Sequence, residues 1–566
     1  MLANDKHAPV LRWILRRSRQ QLFSMVLLVV ANMLLAVSTV VFAITCREII
    51  DGAVGGDRSR LYRGIALLLG VILTQLALRL FCNGLLEYTK ARLEILFKDS
   101  LFSHLLQADY KQMTAYHCGE LLNRMFSDVQ VVTDGVTGLL PNFISMITRL
   151  AAAFGVLVWL YPVFALVFLC AGVFIFCISR LLRKRLKALH RAVQEREGRV
   201  RSFFQETLSS VLIVKVFGAY QKTEQEAQVR MHDHYKARMK RRNLSIVSNA
   251  GFTLVFQLGY AYALVSGALG ILGGTMSYGT LTAVLQLVGQ VQTPFAGLSG
   301  MLPRFYGVLA SAERIMELEQ LPQEADQPLP ALEPADFRGI AFEHVQFSYG
   351  RNDVLQNLNF SIDRGDFVAV TGRSGVGKST VFLLMLGVYA PQGGKVRILT
   401  NAGEYPACRS TRRLFSYVPQ GNILFSGTVR DNISFVKPEA SESEIWRAAE
   451  TACAADFIRQ FPQGLDTQIG ENGFGLSLGQ AQRIAVARAV LSDAPVILFD
   501  EATSALDEAT ELTMLHNIAI IRNKTCVIVT HRKAALQICN KRLHIGGVTV
   551  NDKVEQRKEN EVWISE

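Results

Sequence analysis

The sequence predicts a membrane α-helical domain of six transmembrane helices followed by an α/β P-loop domain. Three observations predict it. Half of the 566 residues are hydrophobic, the mean hydropathy is +0.23, and the apolar residues concentrate in about the first 300 positions. From Phe337 onward, short apolar runs alternate with amphipathic stretches, the pattern of strands and helices sharing one sheet. Within that second part, G-x-x-x-x-G-K-S follows an apolar run and opens a helical one.

Six runs are long enough to cross a hydrocarbon core of about 30 Å. They lie at 22–45, 62–84, 138–160, 163–179, 248–271 and 278–302. The fourth is short, and its helix is expected to continue through Arg180–Leu189 beyond the bilayer. The stretches after the second and fourth runs exceed 50 and 60 residues, whereas those after the third and fifth are a few residues long. The first run lacks a small-x-small cleavage site, so it reads as a retained span rather than a leader.

Charge sets the expected orientation. Lys6, Arg12, Arg16, Arg17 and Arg19 precede the first span, and the segment from Arg180 to Arg242 holds 17 Lys/Arg against 6 Asp/Glu. That segment carries most of the chain's net charge of +12. Beside membrane spans, such a run fits a cytosolic loop obeying the positive-inside rule better than a nucleic-acid surface. Only Arg47, Arg58 and Arg60 fall in the first loop. Both termini and both long loops are therefore expected in the cytosol, in a multi-pass protein of the cell (plasma or inner) membrane.

Polar residues within the spans are sparse: Gln75, Arg79, Arg149, Gln257, Gln286 and Gln290. No Asp or Glu sits mid-span, which argues against a proton- or sodium-driven carrier. Arg79 and Arg149 suit a path for an anionic or amphipathic solute, and equally suit snorkelling or pairing with helix ends. The nine cysteines form no C-x-x-C pair and read as reduced packing residues, with no zinc or disulfide framework.

The second part begins after a proline-rich linker, giving expected boundaries of 1–317 for the membrane domain, 318–336 for the linker and 337–566 for the α/β domain. Three strand ends there carry chemistry. In "FVAVTGRSGVGKST" the loop Gly372, Arg373, Ser374, Gly375, Val376, Gly377, Lys378, Ser379 and Thr380 offers backbone N–H groups to phosphates. Lys378 reaches their oxygens and Ser379 is placed to ligate Mg2+. In "PVILFDEATSALD" Asp500 ends an apolar run, placed to hold Mg2+, and Glu501 follows to polarise a water. In "TCVIVTHR" His531 closes a third run within reach of a γ-phosphate. Gln420, after "FSYVPQ", can sense the metal or the water, and Tyr349 can stack on a base.

The stretch "GLSLGQAQRIAVARAV" adds a puzzle. Ser477 can cap a helix and Gly479 leaves its first N–H groups open to an anion, yet no lysine follows and Leu478 is bulky.

Together these motifs resemble the ATP-binding-cassette (ABC) transporter family, in the family's own order and over nearly the whole chain. Tyr349 is similar to its adenine-stacking aromatic, Gly372–Ser379 to its Walker A motif, and Gln420 to its Q-loop glutamine. "LSLGQ" resembles the signature motif, with Leu478 where a glycine is usual. Asp500 and Glu501 resemble the Walker B pair, "SALD" with Asp507 the D-loop, and His531 the switch histidine. "TQIGENG" and "GELLNRMFSDV" have an exporter character. Six spans before one cassette look like an exporter-type half-transporter.

The resemblance implies an ATPase coupled to transport, with ATP and Mg2+ as ligands and a second half-transporter as partner. Lys378, Ser379, Asp500, Glu501 and His531 would face one ATP, while Ser477, Gly479 and Gln480 of the other chain close it. Glu501, His531, Gln420 and Lys378 are the expected catalytic residues, with Ser379, Gln420 and Asp500 around the metal. Coupling helices are expected near Tyr110–Tyr116 and Thr207–Val214. The transported substrate, expected to be hydrophobic or amphipathic (drug, lipid or peptide), is not legible. An importer on the exporter scaffold and a gated channel or regulatory subunit stay open, as does homodimer against heterodimer.

Overall fold

The computed structural model describes residues 7–324, 332–350, 353–421, 424–521, 524–545 and 550–551, with side chains described except at 171, 174–179, 181–184, 292–300, 302, 472, 534 and 550–551. Part of the proline-rich linker lies outside the described residues. The chain divides into two compact units, Met1–Ser103 with Cys118–Glu319, and His104–His117 with Gln320–Glu566.

Among the described residues, the regular structure of the first unit is all helix. Its long elements are α1 (Leu22–Val54), α2 (Arg58–Gln107), whose last turn enters the second unit, α4 (Leu140–Leu160), α5 (Pro162–Ser209), α7 (Tyr220–Leu272) and α8 (Tyr278–Glu319). Two short helices are α3 (Tyr110–Met113) and α6 (Val211–Val216). Five of the expected spans fall within one long helix each, and 138–160 begins two residues ahead of α4, in the π-helical turn Gly135–Leu139. The helices run well past the apolar stretches, as the charged segments after spans two and four suggest. Among the described residues, four helical stretches are long and apolar enough to cross a membrane: Ala8–Val54, Arg58–Gln107, Cys118–Leu160 and Tyr220–Leu272.

Packing inside this unit is apolar around Val40, Leu157, Phe164, Leu287 and Val288. Leu67, Leu73, Leu76, Leu80, Leu254 and Leu258 point outward and are exposed, the inverse of a water-facing helix and the pattern of one solvated by lipid. The sequence left the roles of the polar span residues open, and the structure divides them. Gln75 donates to the Ser38 carbonyl at 3.1 Å and Gln290 to the Thr39 carbonyl at 2.7 Å, so both tie their helices to α1. Arg79 is exposed, whereas Arg149 is half-buried with a buried Nε that makes no hydrogen bond.

The exporter-like stretch "GELLNRMFSDV" is held by α8. Arg124 donates to Glu317 and to the Arg314 carbonyl, each at 2.9 Å. Asp128 accepts from Ser311 and from Arg314.

The second unit is α/β. An antiparallel layer has the order β2-β1-β4-β5, built from β1 (Phe337–Ser348), β2 (Asp353–Asp363), β4 (Gly393–Thr400) and β5 (Gly403–Pro406). The main sheet has the order β10-β9-β3-β8-β7-β6. Its strands are β3 (Phe367–Thr371), β6 (Phe415–Val418), β7 (Val496–Asp500), β8 (Thr525–Val529), β9 (Lys541–His544) and β10 (Val550–Asn551). β6, β7, β8, β3 and β9 pair in parallel and β10 is antiparallel to β9. Strands β3, β7 and β8 are buried along nearly their whole length, as continuous Val/Ile/Leu runs covered on both faces require. Register decides the site: Asp500 pairs with Val529, Val529 with Val370, and Phe499 with Val418. The residues that follow these strands therefore emerge side by side along one carboxyl edge, where parallel sheets bind ligands.

Helix α3 belongs to this second unit. Asp109 caps it, and the Asp109 N–H donates to the Pro322 carbonyl at 2.8 Å. Tyr110 packs on Tyr389, with ring centroids 6.3 Å apart.

Candidate nucleotide site

Between β3 and helix α9 (Lys378–Met385) the loop is shaped by glycine. Gly377 sits at φ +104°, and a Cβ there would come within 2.2 Å of Val354 Cγ1. At Gly372, φ +146°, a Cβ would meet the Ile545 carbonyl at 2.3 Å. Only glycine tolerates this crowding, and the resulting turn leaves backbone N–H groups unscreened for an anion.

Lys378 is 6% exposed. Its ammonium donates to the Gly372 carbonyl at 2.9 Å, to the Arg373 carbonyl at 3.3 Å and to His531 Nε2 at 2.9 Å. An ammonium has no acceptor, so His531 accepts through Nε2 and carries its ring proton on Nδ1. Glu501 Oε1 lies 4.0 Å from the same nitrogen. The Gln420 side chain donates to Glu501 Oε2 at 2.8 Å. Lys378, His531, Glu501 and Gln420, up to 153 residues apart in sequence, are thus one cluster at the sheet edge. Glu501 also has φ +51°, a left-handed backbone that a glutamate adopts only under constraint, and such strain gathers at functional positions.

Asp500 is 2% exposed, with Oδ2 accepting from the Tyr417 hydroxyl at 3.1 Å. Oδ1 is buried and makes no hydrogen bond of ordinary geometry, although the Ser379 hydroxyl is near enough to favour its charge. Burial is the largest influence on this carboxyl and raises its pKa. A buried, partly orphaned carboxylate oxygen beside a serine hydroxyl is hard-oxygen chemistry and fits Mg2+. Ser379, Asp500 and Gln420 are the residues that would hold it.

Tyr349 is exposed on one side. Its hydroxyl meets Thr380 Oγ1 at 3.1 Å, and its ring stands edge-on to Phe347 and Tyr389. The open ring face suits a base.

The signature residues are not part of this cluster. Ser477 caps α10 (Leu478–Leu491), its hydroxyl accepting from the Gln480 N–H at 3.3 Å while Gln480 Oε1 accepts from the Ser477 N–H at 2.9 Å. Among the described residues, no hydrogen bond or ion pair joins Ser477, Gly479 or Gln480 to the Walker A loop. Leu478 is 52% and Phe474 84% exposed. Gly479 has a reason that the sequence did not give: a Cβ there would press to 3.2 Å on the Ala505 carbonyl of the D-loop. Asp507 caps α11 (Glu508–Ala519) through the Thr510 N–H, whose hydrogen bond is the first cause of its lowered pKa.

Sequence reasoning missed three supporting residues. Tyr417 holds Asp500. Gln482 clamps the D-loop, donating to Ser504 Oγ at 3.3 Å and accepting from the Ala505 N–H at 3.1 Å. Arg532 donates to the Leu506 carbonyl at 2.5 Å, the Ser504 carbonyl at 2.6 Å and Glu511 at 3.1 Å. Position beside His531 was the one available signal for Arg532.

A glycine-shaped loop opening a helix, with a lysine, two carboxylates and a histidine gathered at one parallel sheet edge, is the architecture of a P-loop nucleotide-binding domain, here in one chain with a helical membrane part. Two family models match the chain, one describing the ABC transporter transmembrane region over residues 22–295 and one describing the ABC transporter over 355–504. The chain is 31% identical over 449 residues to an ATP-dependent lipid A-core flippase of Legionella pneumophila, covering 78% of this chain and 76% of the relative. It is 28% identical over 477 residues to a fatty acid ABC transporter ATP-binding/permease protein of Mycobacterium tuberculosis, covering 84% and 74%. A solved structure of a bacterial Atm1-family ABC exporter with ATP bound shares the fold, at TM-score 0.76, 24% identity and 93% coverage of each chain. The chain belongs to the ABC transporter family, as a half-transporter of the exporter type. It is an integral membrane protein and an ATP-driven transmembrane transporter.

Proposed function

We propose that two cassettes, one from this chain and one from a second half-transporter, enclose two ATP molecules and drive an amphipathic, acidic or lipid-like substrate from the inner to the outer leaflet or beyond. One observation carries the paired arrangement. Among the described residues no hydrogen bond or ion pair joins the cluster around Lys378 to this chain's own signature helix, whose start is exposed at Ser477 and Leu478. The apolar tip of the long loop agrees, since Leu212 and Val216 on α6 and Phe217 just after it are 70–79% exposed, where a partner's cassette would cover them. The substrate class rests on likeness to the lipid A-core flippase and the fatty acid transporter.

In this reading the six expected spans, 22–45, 62–84, 138–160, 163–179, 248–271 and 278–302, cross the bilayer with both termini and the cassette in the cytosol. Domain limits of 1–317, 318–336 and 337–566 go with it. Lys378 exchanges the Gly372 and Arg373 carbonyls for phosphate oxygens. Gln420 releases Glu501, which then takes a proton from the attacking water, and His531, freed from Lys378, turns its ring toward the γ-phosphate. When bound at Ser379, Asp500 and Gln420, Mg2+ neutralises phosphate charge. Tyr349 stacks on the base. Ser477, Gly479 and Gln480 of the partner close the site, and Asp507 lies beside it. Helix α3 passes the closure to the membrane helices.

The test is Glu501→Gln. The variant should bind ATP with near wild-type affinity, hydrolyse it at least about 100-fold more slowly, and run in native mass spectrometry as a stable ATP-dependent pair. Near-normal turnover would remove Glu501 as the base, and a monomer with full ATPase would remove the shared site.

A further inference from the structure

The two oxygens of Asp500 are not equivalent. Tyr417 lies on β6, in register with Leu498 of β7, so its ring leans along the sheet edge toward the end of the neighbouring strand. The ring stands edge-on to the fully buried Phe382, at 6.2 Å and 80°, which fixes its direction. Its hydroxyl reaches Oδ2 of Asp500 at 3.1 Å, while Oδ1 stays buried with no hydrogen bond of ordinary geometry. A carboxylate oxygen only accepts, so the Tyr417 hydroxyl is the donor in this contact.

A hydrogen bond to one carboxylate oxygen takes up one of its two lone pairs and draws charge from it, so a cation is served better by the other oxygen than by both together. That bias matters differently to different ions. Mg2+ demands a tight octahedron, takes one oxygen from a carboxylate and keeps several waters. Ca2+ is larger, accepts six to eight oxygens and gains from bidentate carboxylates. We propose that Tyr417 is a specificity-determining residue which, by engaging Oδ2, biases Asp500 toward one-oxygen ligation and makes the nucleotide site favour Mg2+ over Ca2+. The inference rests on the reading of Asp500 as the cation carboxylate. It goes beyond that reading by assigning the preference to a residue whose contact is with the carboxylate rather than with the phosphate loop.

The experiment uses the purified full chain in nanodiscs with Glu501→Gln, so that nucleotide is not consumed. Binding of a fluorescent ATP analogue is titrated separately with MgCl2 and CaCl2. Tyr417→Phe keeps the ring and its packing and removes only the donor. The Mg2+/Ca2+ affinity ratio should fall about 3- to 10-fold, the size of effect expected from one hydrogen bond to a charged group, with most of the change in Ca2+. An unchanged ratio, or equal weakening for both ions, overturns the inference, since a merely structural role would weaken both alike. Asp500→Asn separates the two levels. Loss of cation dependence there with an unchanged ratio in Tyr417→Phe refutes the tyrosine's role alone. Intact dependence on both ions in Asp500→Asn refutes the reading of the carboxylate, and the inference with it.

Discussion

Arg532 makes three hydrogen bonds that join the segment after His531 to the D-loop, so replacing it tests how the cassette is held together. Its guanidinium donates to the carbonyls of Ser504 and Leu506 and to Glu511, whose side chain is 0% exposed. Glu511 has one other partner shown, the Thr503 hydroxyl at 2.6 Å. Arg532→Ala would leave a buried carboxylate facing one hydroxyl. Removing one member of a fully buried pair costs about 3–5 kcal/mol. Arg532 is itself 37% exposed, so water screens part of that charge and the figure falls to about 2–3 kcal/mol. At roughly 2–4 °C per kcal/mol for a unit of this size, the melting temperature drops by about 4–12 °C.

The assay is differential scanning fluorimetry of the full chain without nucleotide, alongside ATPase. The decisive comparison is Arg532→Ala with Glu511→Gln. Neutralising the buried carboxylate removes the unpaired charge, so the double variant should recover at least about half of the lost stability. ATPase should stay low in both, because the two D-loop carbonyls remain unheld. A double variant that melts at or below Arg532→Ala, or an Arg532→Ala protein within about 1 °C of wild type, refutes the account of Glu511 as a buried charge held by Arg532.

Two other substitutions probe the site from opposite sides. Burial raises the Asp500 pKa, so between the ordinary carboxylate value and the raised one the native state binds more protons than the unfolded chain. Its contribution to stability therefore falls as pH rises through that window, and at about pH 7 its charge is a cost to the nucleotide-free fold. Asp500→Asn should melt higher than wild type at that pH, with the gain shrinking as pH falls through the raised carboxylate pKa, while ATPase is lost; a lower melting temperature at neutral pH would count against it. Leu478→Gly changes a residue that is 52% exposed. Steady-state ATPase and ATP affinity should stay within about two-fold and stability within about 0.5 kcal/mol. A rise in turnover beyond about five-fold would mean that the leucine weakens the signature site.

The sequence by itself determined the helical and α/β halves, the phosphate loop and the strand-end residues, because these follow from apolar periodicity, glycine placement and neighbours a few positions apart. The helix start at Ser477 was legible for the same reason, whereas its pairing with a second chain came only from the resemblance of the motifs to the ABC family. Tertiary structure alone decided which side chains meet. Gln420 finds Glu501 81 residues away and Tyr417 finds Asp500 83 residues away, through strand register that no local pattern encodes. It also reassigned reasons: Gly479 is small because the D-loop carbonyl presses on it, and the polar Gln75 and Gln290 serve helix packing. Side-chain chemistry is written along the chain, but hydrogen bonds act over about 3 Å, and only the folded sheet edge brings distant groups within that reach.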